Sequence, residues 1–100
     1  MDIPRKIKVG DKWYSVEVVE AMQEHGHMGE VNYPKQKIKV STKSNVTRRK
    51  YSKDTVHDTF WHELIHAILH DMGRHRLNND EEFVHGISSR LYKAISTARF

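Results

Sequence analysis

Two histidines four residues apart frame a glutamate in the run His62-Glu63-Leu64-Ile65-His66. On an α-helix such histidines stand one above the other on one face, about 6 Å of rise apart. Their imidazole nitrogens can converge on one divalent ion at roughly 2.0–2.1 Å each. Glu63 follows the first histidine directly and lies about 100° round the helix, beside the ion instead of on it. There it can accept a proton from water whose pKa the ion has lowered to about 7. Leu64 and Ile65 make no polar demand of their own. The spacing therefore reads as two zinc ligands and a general base.

A catalytic zinc site of this kind needs a third protein ligand and an open fourth position. The elongated metzincin pattern would place a glycine and a histidine where Leu69 and Met72 stand, so that class is excluded. His70 follows His66 by four, but three successive turns of one helix span about 12 Å, too far for one ion. The third ligand is therefore expected from the next helical segment, where Glu81, Glu82 and His85 are available. Val84, Ile87, Leu91 and Ile95 recur at helical spacing and predict the core face of that segment. Glu81 falls at the edge of this face and His85 a little further round, while Glu82 points away. Glu81 ranks first as ligand, with His85 beside it as a supporting hydrogen-bond donor. His85 and Tyr92 are candidates for an additional oxyanion donor.

Elements that could position these groups follow from pattern. Residues 7–20 read as two short strands turning at Gly10-Asp11, and "VNYPKQKIKVST" as further strands around Pro34-Lys35. In "KQKIKV" the lysines fall on one face, with Ile38 and Val40 on the other, as in a strand with one wet side. The period then changes. Residues 54–72 predict the helix carrying His62 and His66, with Thr55-x-x-Asp58 as its capping box and Gly73 as its stop. Phe60 and Trp61 are expected in the core. A second helix is predicted over 80–98, with Asn79 as cap and Glu82 as reciprocal partner. The fold class is thus α+β: a small antiparallel or mixed sheet over residues 1–50, then two helices.

The chain has 100 residues, 37% hydrophobic and 30% charged, so a single globular domain over 1–100 is expected, with a core thin enough for a bound metal to add useful stability. There is no cysteine, hence no disulfide framework and no thiolate metal site. No apolar run reaches the length of a membrane span, and "MDIPRKIKVGDKWYSV" lacks the apolar segment of a signal peptide. These features together predict an intracellular protein with no membrane partner. The formal charge of +4 is local: residues 35–53 hold eight lysines and arginines and no acid. Lysines commonly guard exposed strand edges, and such a segment can also meet an acidic protein or nucleic acid.

With these residues in view, the chain resembles the small phage and prophage metallopeptidases of the ImmA/IrrE-like group. The resemblance rests on "TFWHELIHAIL" and on Glu81-x-x-Val84-His85-x-Ile87-Ser88-x-x-Leu91, set against that group's E-x-x-A-N-x-F-A-x-x-L. It covers about residues 55–95 and departs at Val84, His85, Ile87 and Ser88. It implies a gluzincin-like fold, a zinc ion on His62, His66 and Glu81, and Glu63 as base. It also implies a cytoplasmic, repressor-type protein substrate and an edge strand able to pair with an extended peptide. A second resemblance, to the DNA-associated SprT/Spartan proteases, rests on "HELIHA" and His85-Gly86. A third reading keeps the zinc fold as a non-catalytic binding module acting through residues 35–53.

Overall fold

The computed structural model describes residues 2–100. Four strands come first: β1 (Lys6–Val9), β2 (Lys12–Val19), β3 (Gly29–Asn32) and β4 (Lys37–Ser41). Three helices follow: α1 (Lys53–Asp71), the single turn α2 (His75–Asn78) and α3 (Glu81–Thr97). The α+β class read from the sequence is what is observed. The sheet is mixed, in the order β1-β2-β4-β3, with β2 and β4 parallel and the other two pairs antiparallel. The β1–β2 turn lies at Gly10, whose φ of +58° suits a residue without a side chain. β3 pairs on one side only and forms an edge of the sheet.

Alternation along the strands decides which face is covered. Tyr14, Ile38 and Val40 turn inward and are almost fully buried, with Val9 beside them. They meet Phe60, Leu64 and Ala67 of α1 in the main core. The other side of α1 presents Ile65 and Leu69 to Val84 of α3, forming a second, smaller core. α1 is therefore sandwiched, and only one stripe of it, carrying His62, Glu63 and His66, is left to line a cleft. Trp61 packs on the edge of the main core, edge-on to Phe60 with ring centroids 6.1 Å apart, and is partly exposed.

Three expectations are corrected. The cap of α1 is Ser52, whose Oγ accepts from the Thr55 backbone N–H at 3.1 Å, so the helix begins before the capping box read at Thr55 and Asp58. The cap of α3 is Asp80, accepting from Phe83 N–H at 3.0 Å, in place of Asn79. The helical turn α2 occupies the connector between the long helices, which ends Asn79 as part of that turn and hands the cap to Asp80.

The third correction concerns the core face of α3. Val84 and Ser88 are fully buried, whereas Ile87, Leu91 and Ile95 are 42%, 38% and 48% exposed. Apolar periodicity finds an apolar stripe, but the neighbour α1 touches only one border of it. Val84→Ala is accordingly expected to cost about 2 kcal/mol, and Ile87→Ala less than about 1 kcal/mol. Urea midpoints of the two variants measure the difference, and equal losses would restore the predicted face.

Candidate metal centre

His62 and His66 leave α1 one turn apart, and the first turn of α3 brings Glu81 over them. The His62 and His66 Nε2 atoms are 3.2 Å apart. Glu81 Oε2 lies 3.1 Å from His62 Nε2, and Glu81 Oε1 lies 3.2 Å from His66 Nε2. Donor atoms sharing a tetrahedral ion at 2.0–2.1 Å sit about 3.3 Å from one another. The donor set and its spacing thus fit one divalent cation, and this is the group of His and acid side chains among the described residues that could hold one. Neutral imidazole and carboxylate are borderline to hard donors, suited to zinc and to other first-row ions.

The His66 tautomer is fixed from behind. The Asn78 amide N–H donates to the Tyr33 hydroxyl at 3.0 Å, which turns its carbonyl oxygen toward His66. His66 Nδ1 donates to that oxygen at 2.6 Å, leaving the Nε2 lone pair facing the centre. Tyr33 is held in turn by stacking on His70, with ring centroids 3.9 Å apart. His70 is thus a support for this chain of contacts, not a ligand. Neither Asn78 nor Tyr33 was singled out from the sequence. No spacing rule connects them to His66, because they reach it from α2 and from the turn after β3. Asn78→Leu is expected to weaken zinc affinity roughly 10–100-fold while leaving far-UV circular dichroism unchanged. A competition titration with a chromophoric chelator gives that number.

Glu63 is 9% exposed and touches the same cleft. Burial pushes its carboxyl up to about 7; His66 pulls it down, and the acids Glu81 and Glu30 add to the rise. Burial also lowers the His62 imidazole, with His66 adding to that effect, so the ring favours the neutral form a ligand requires. The wall opposite Glu63 comes very close. A Cβ on Gly29 would lie 2.7 Å from Thr59 Cγ2 and 3.2 Å from Glu63 Cγ, so only glycine lets the start of β3 pass α1 here. The loop leading into β3 is pinned by Asn45, whose amide nitrogen donates to the Met22 and Glu24 carbonyls at 2.8 and 2.7 Å.

The remaining candidates fall outside the triad. The His85 ring lies 6.3 Å from that of His62, lining the cleft as a neighbour of the cluster. Glu82 is exposed and faces away. Tyr92 donates its hydroxyl to Asp54 at 2.6 Å, which commits the group elsewhere than to a reacting oxygen. In the basic segment, Lys37 and Lys43 are paired with Glu17 and Glu20 at 3.7 and 3.0 Å, so part of its charge is answered locally.

Fold and donor set together define an α+β protein with a two-histidine, one-carboxylate cluster at the mouth of a cleft. Compared with known proteins, the chain gives no match to a family model, to a curated protein or to a solved structure.

Proposed function

We propose that this chain is a zinc-dependent metallopeptidase of the ImmA/IrrE-like kind, hydrolysing a peptide bond in a cytoplasmic, repressor-type protein. The observation that carries the reading is the convergence of His62, His66 and Glu81 next to a buried carboxyl, Glu63, in one cleft. A zinc ion on the three ligands would supply Lewis acidity, lowering the pKa of water and withdrawing electron density from a carbonyl oxygen. Glu63 takes the proton released as water adds to the carbonyl carbon. Its buried position holds that proton away from bulk solvent. Glu63 then delivers it to the amide nitrogen as the C–N bond breaks, so the carboxylate is restored.

The cleft has room for a chain. It encloses about 740 Å³ between α1, the start of α3 and the segment around Gly26 to Gly29. β3 starts at the cleft with Gly29 and, as an edge strand, leaves one row of backbone groups unpaired, which an extended peptide can join as an added strand. Among the described residues no helix is long and apolar enough to cross a membrane. The test is incubation of zinc-loaded protein with unfolded casein, followed by mass spectrometry of new termini. Cleavage that a chelator stops and zinc restores supports the reading; intact casein, together with intact peptides from a diverse library, rejects it.

A further inference from the structure

The sheet has a second face, which the proposed centre does not use. α1 covers one side, and among the described residues no other helix packs against a strand. Strand register sorts the side chains on the other side. One row runs Lys6, Ser15, Lys37 and Asn32 across β1, β2, β4 and β3. Lys8 and Trp13 form the row to one side of it, and Glu17, Lys39 and Glu30 the row to the other. The acids of this face are thus gathered at one end, with Lys39 between them. The opposite end carries Lys6, Lys8, Lys37 and an indole, with Asp11 in the β1–β2 turn beyond.

Trp13 is 55% exposed. The Lys6 and Lys8 ammonium groups lie over its ring, 5.2 and 5.8 Å from the centroid. The ring face attracts each of them, and neither is in an ion pair among the described residues. Lysines by themselves keep an open sheet face soluble and do not call for a large aromatic ring in their midst. Lys37 meets Glu17 at 3.7 Å, but both groups are at the surface, where such a pair contributes little, so the lysine can turn to another anion. The β1 lysines and Lys37 flank β2 from strands about 10 Å apart, two strand spacings. A polymer of regularly spaced anions and flat rings answers both features at once, with phosphates for the ammonium groups and a base for the indole. An acidic protein segment meets the lysines and leaves the indole without a flat partner. A lipid surface finds one large apolar side chain to take up at this end, with the polar Ser15 next to it along β2.

We infer that this face binds single-stranded nucleic acid, with one base stacked on Trp13 and the flanking phosphates held by Lys6, Lys8 and Lys37. In a duplex the base faces are already stacked on one another, so the indole selects single strands, and it does so with little regard to sequence because every base has a π-face. Lys37 belongs to the basic run 35–53, whose aromatic partner is thus supplied by a distant strand. The cleft lies on the α1 side of the sheet, so both sites can be occupied together, and the inference does not rest on the peptidase reading.

The test is a titration of the protein into fluorescently labelled oligothymidylate at low salt, followed by anisotropy. Binding is expected to weaken as salt rises, with a slope of about −2 in log K against log salt concentration for three neutralised phosphates. Trp13→Ala should weaken it at least about fivefold through loss of the stacked base, with the salt slope unchanged. Lys6→Gln/Lys8→Gln should reduce the slope to less than about half. The substituted side chains are all exposed, and circular dichroism checks that the variants fold. In the unmodified protein, the Trp13 indole N–H resonance should shift on adding the oligonucleotide while that of Trp61 stays in place. A duplex of the same length, polyglutamate, and vesicles containing phosphatidylserine should each displace the labelled strand less effectively than unlabelled oligothymidylate does. Absence of binding at low salt, an affinity untouched by Trp13→Ala, or a Trp13 resonance that does not move overturns the inference. Displacement by polyglutamate or by vesicles as effective as that by the oligonucleotide also overturns it, and assigns the face to acidic proteins or to anionic lipid.

Discussion

Glu63→Gln is expected to reduce peptide hydrolysis by roughly 10²–10⁴-fold, the usual contribution of a positioned acid–base group, while zinc content stays at that of the unmodified protein. The amide has the shape of the carboxyl, so the packing of Glu63 against the start of β3 is retained. It cannot accept the proton that water gives up, nor deliver one to the leaving nitrogen. His62, His66 and Glu81 are untouched, because Glu63 lies beside the cluster they form and contributes no atom to it. The loss should therefore appear in kcat with little change in KM, as expected when an interaction made only in the transition state is removed. Elemental analysis and initial rates on the same sample make the comparison. A variant that empties of zinc would show Glu63 to be structural. A variant that binds zinc and retains full activity would remove the residue from the chemistry, and a biological effect surviving it would belong to a binding role.

The parts of this site that were legible in the sequence are those governed by helical period. His62, Glu63 and His66 needed only the geometry of one helix, and the change from alternating to helical pattern near residue 50 located that helix. Glu81 could be ranked above Glu82 and His85 because its angular position on the next helix was fixed by its spacing from Val84. The same reasoning overreached along α3. It treated Ile87, Leu91 and Ile95 as one buried face, yet burial depends on how far α1 extends alongside, and only Val84 and Ser88 lie under it. What could not be read were contacts between distant segments. Asn78 orients His66 from a one-turn helix, Tyr33 holds Asn78 from across 45 residues, and Asn45 fixes the cleft wall through three hydrogen bonds to residues some 20 positions earlier. No local period encodes such pairings. The caps illustrate the smaller version of this limit: Ser52 and Thr55 are both competent, as are Asn79 and Asp80, and a shift of one to three residues in where the chain turns decides between them.

Glu81→Ala and His85→Ala separate the two side chains that compete for the third ligand position, and the larger effect is expected at Glu81. Both residues are exposed and both stand on the cleft side of α3, so neither change should unfold the metal-free protein. Their relation to zinc differs. Each Glu81 oxygen is within 3.2 Å of an imidazole nitrogen, at the spacing of shared coordination, whereas the His85 ring centre remains 6.3 Å from that of His62. A ligand bound only by the folded state stabilises it by about 4 kcal/mol at a free concentration 1,000 times its Kd. In a domain of this size that corresponds to a rise in Tm of roughly 15–30 °C. The unmodified protein and His85→Ala are expected to show this rise on adding zinc. Glu81→Ala should lose most of it, with an affinity loss beyond the roughly 10–100-fold that removal of an outer partner brings. The reverse outcome, with zinc retained by Glu81→Ala and lost by His85→Ala, would transfer the third ligand to His85 and require α3 to turn about its axis on metal binding. Thermal melts with and without zinc, read beside the zinc content of each variant, decide it.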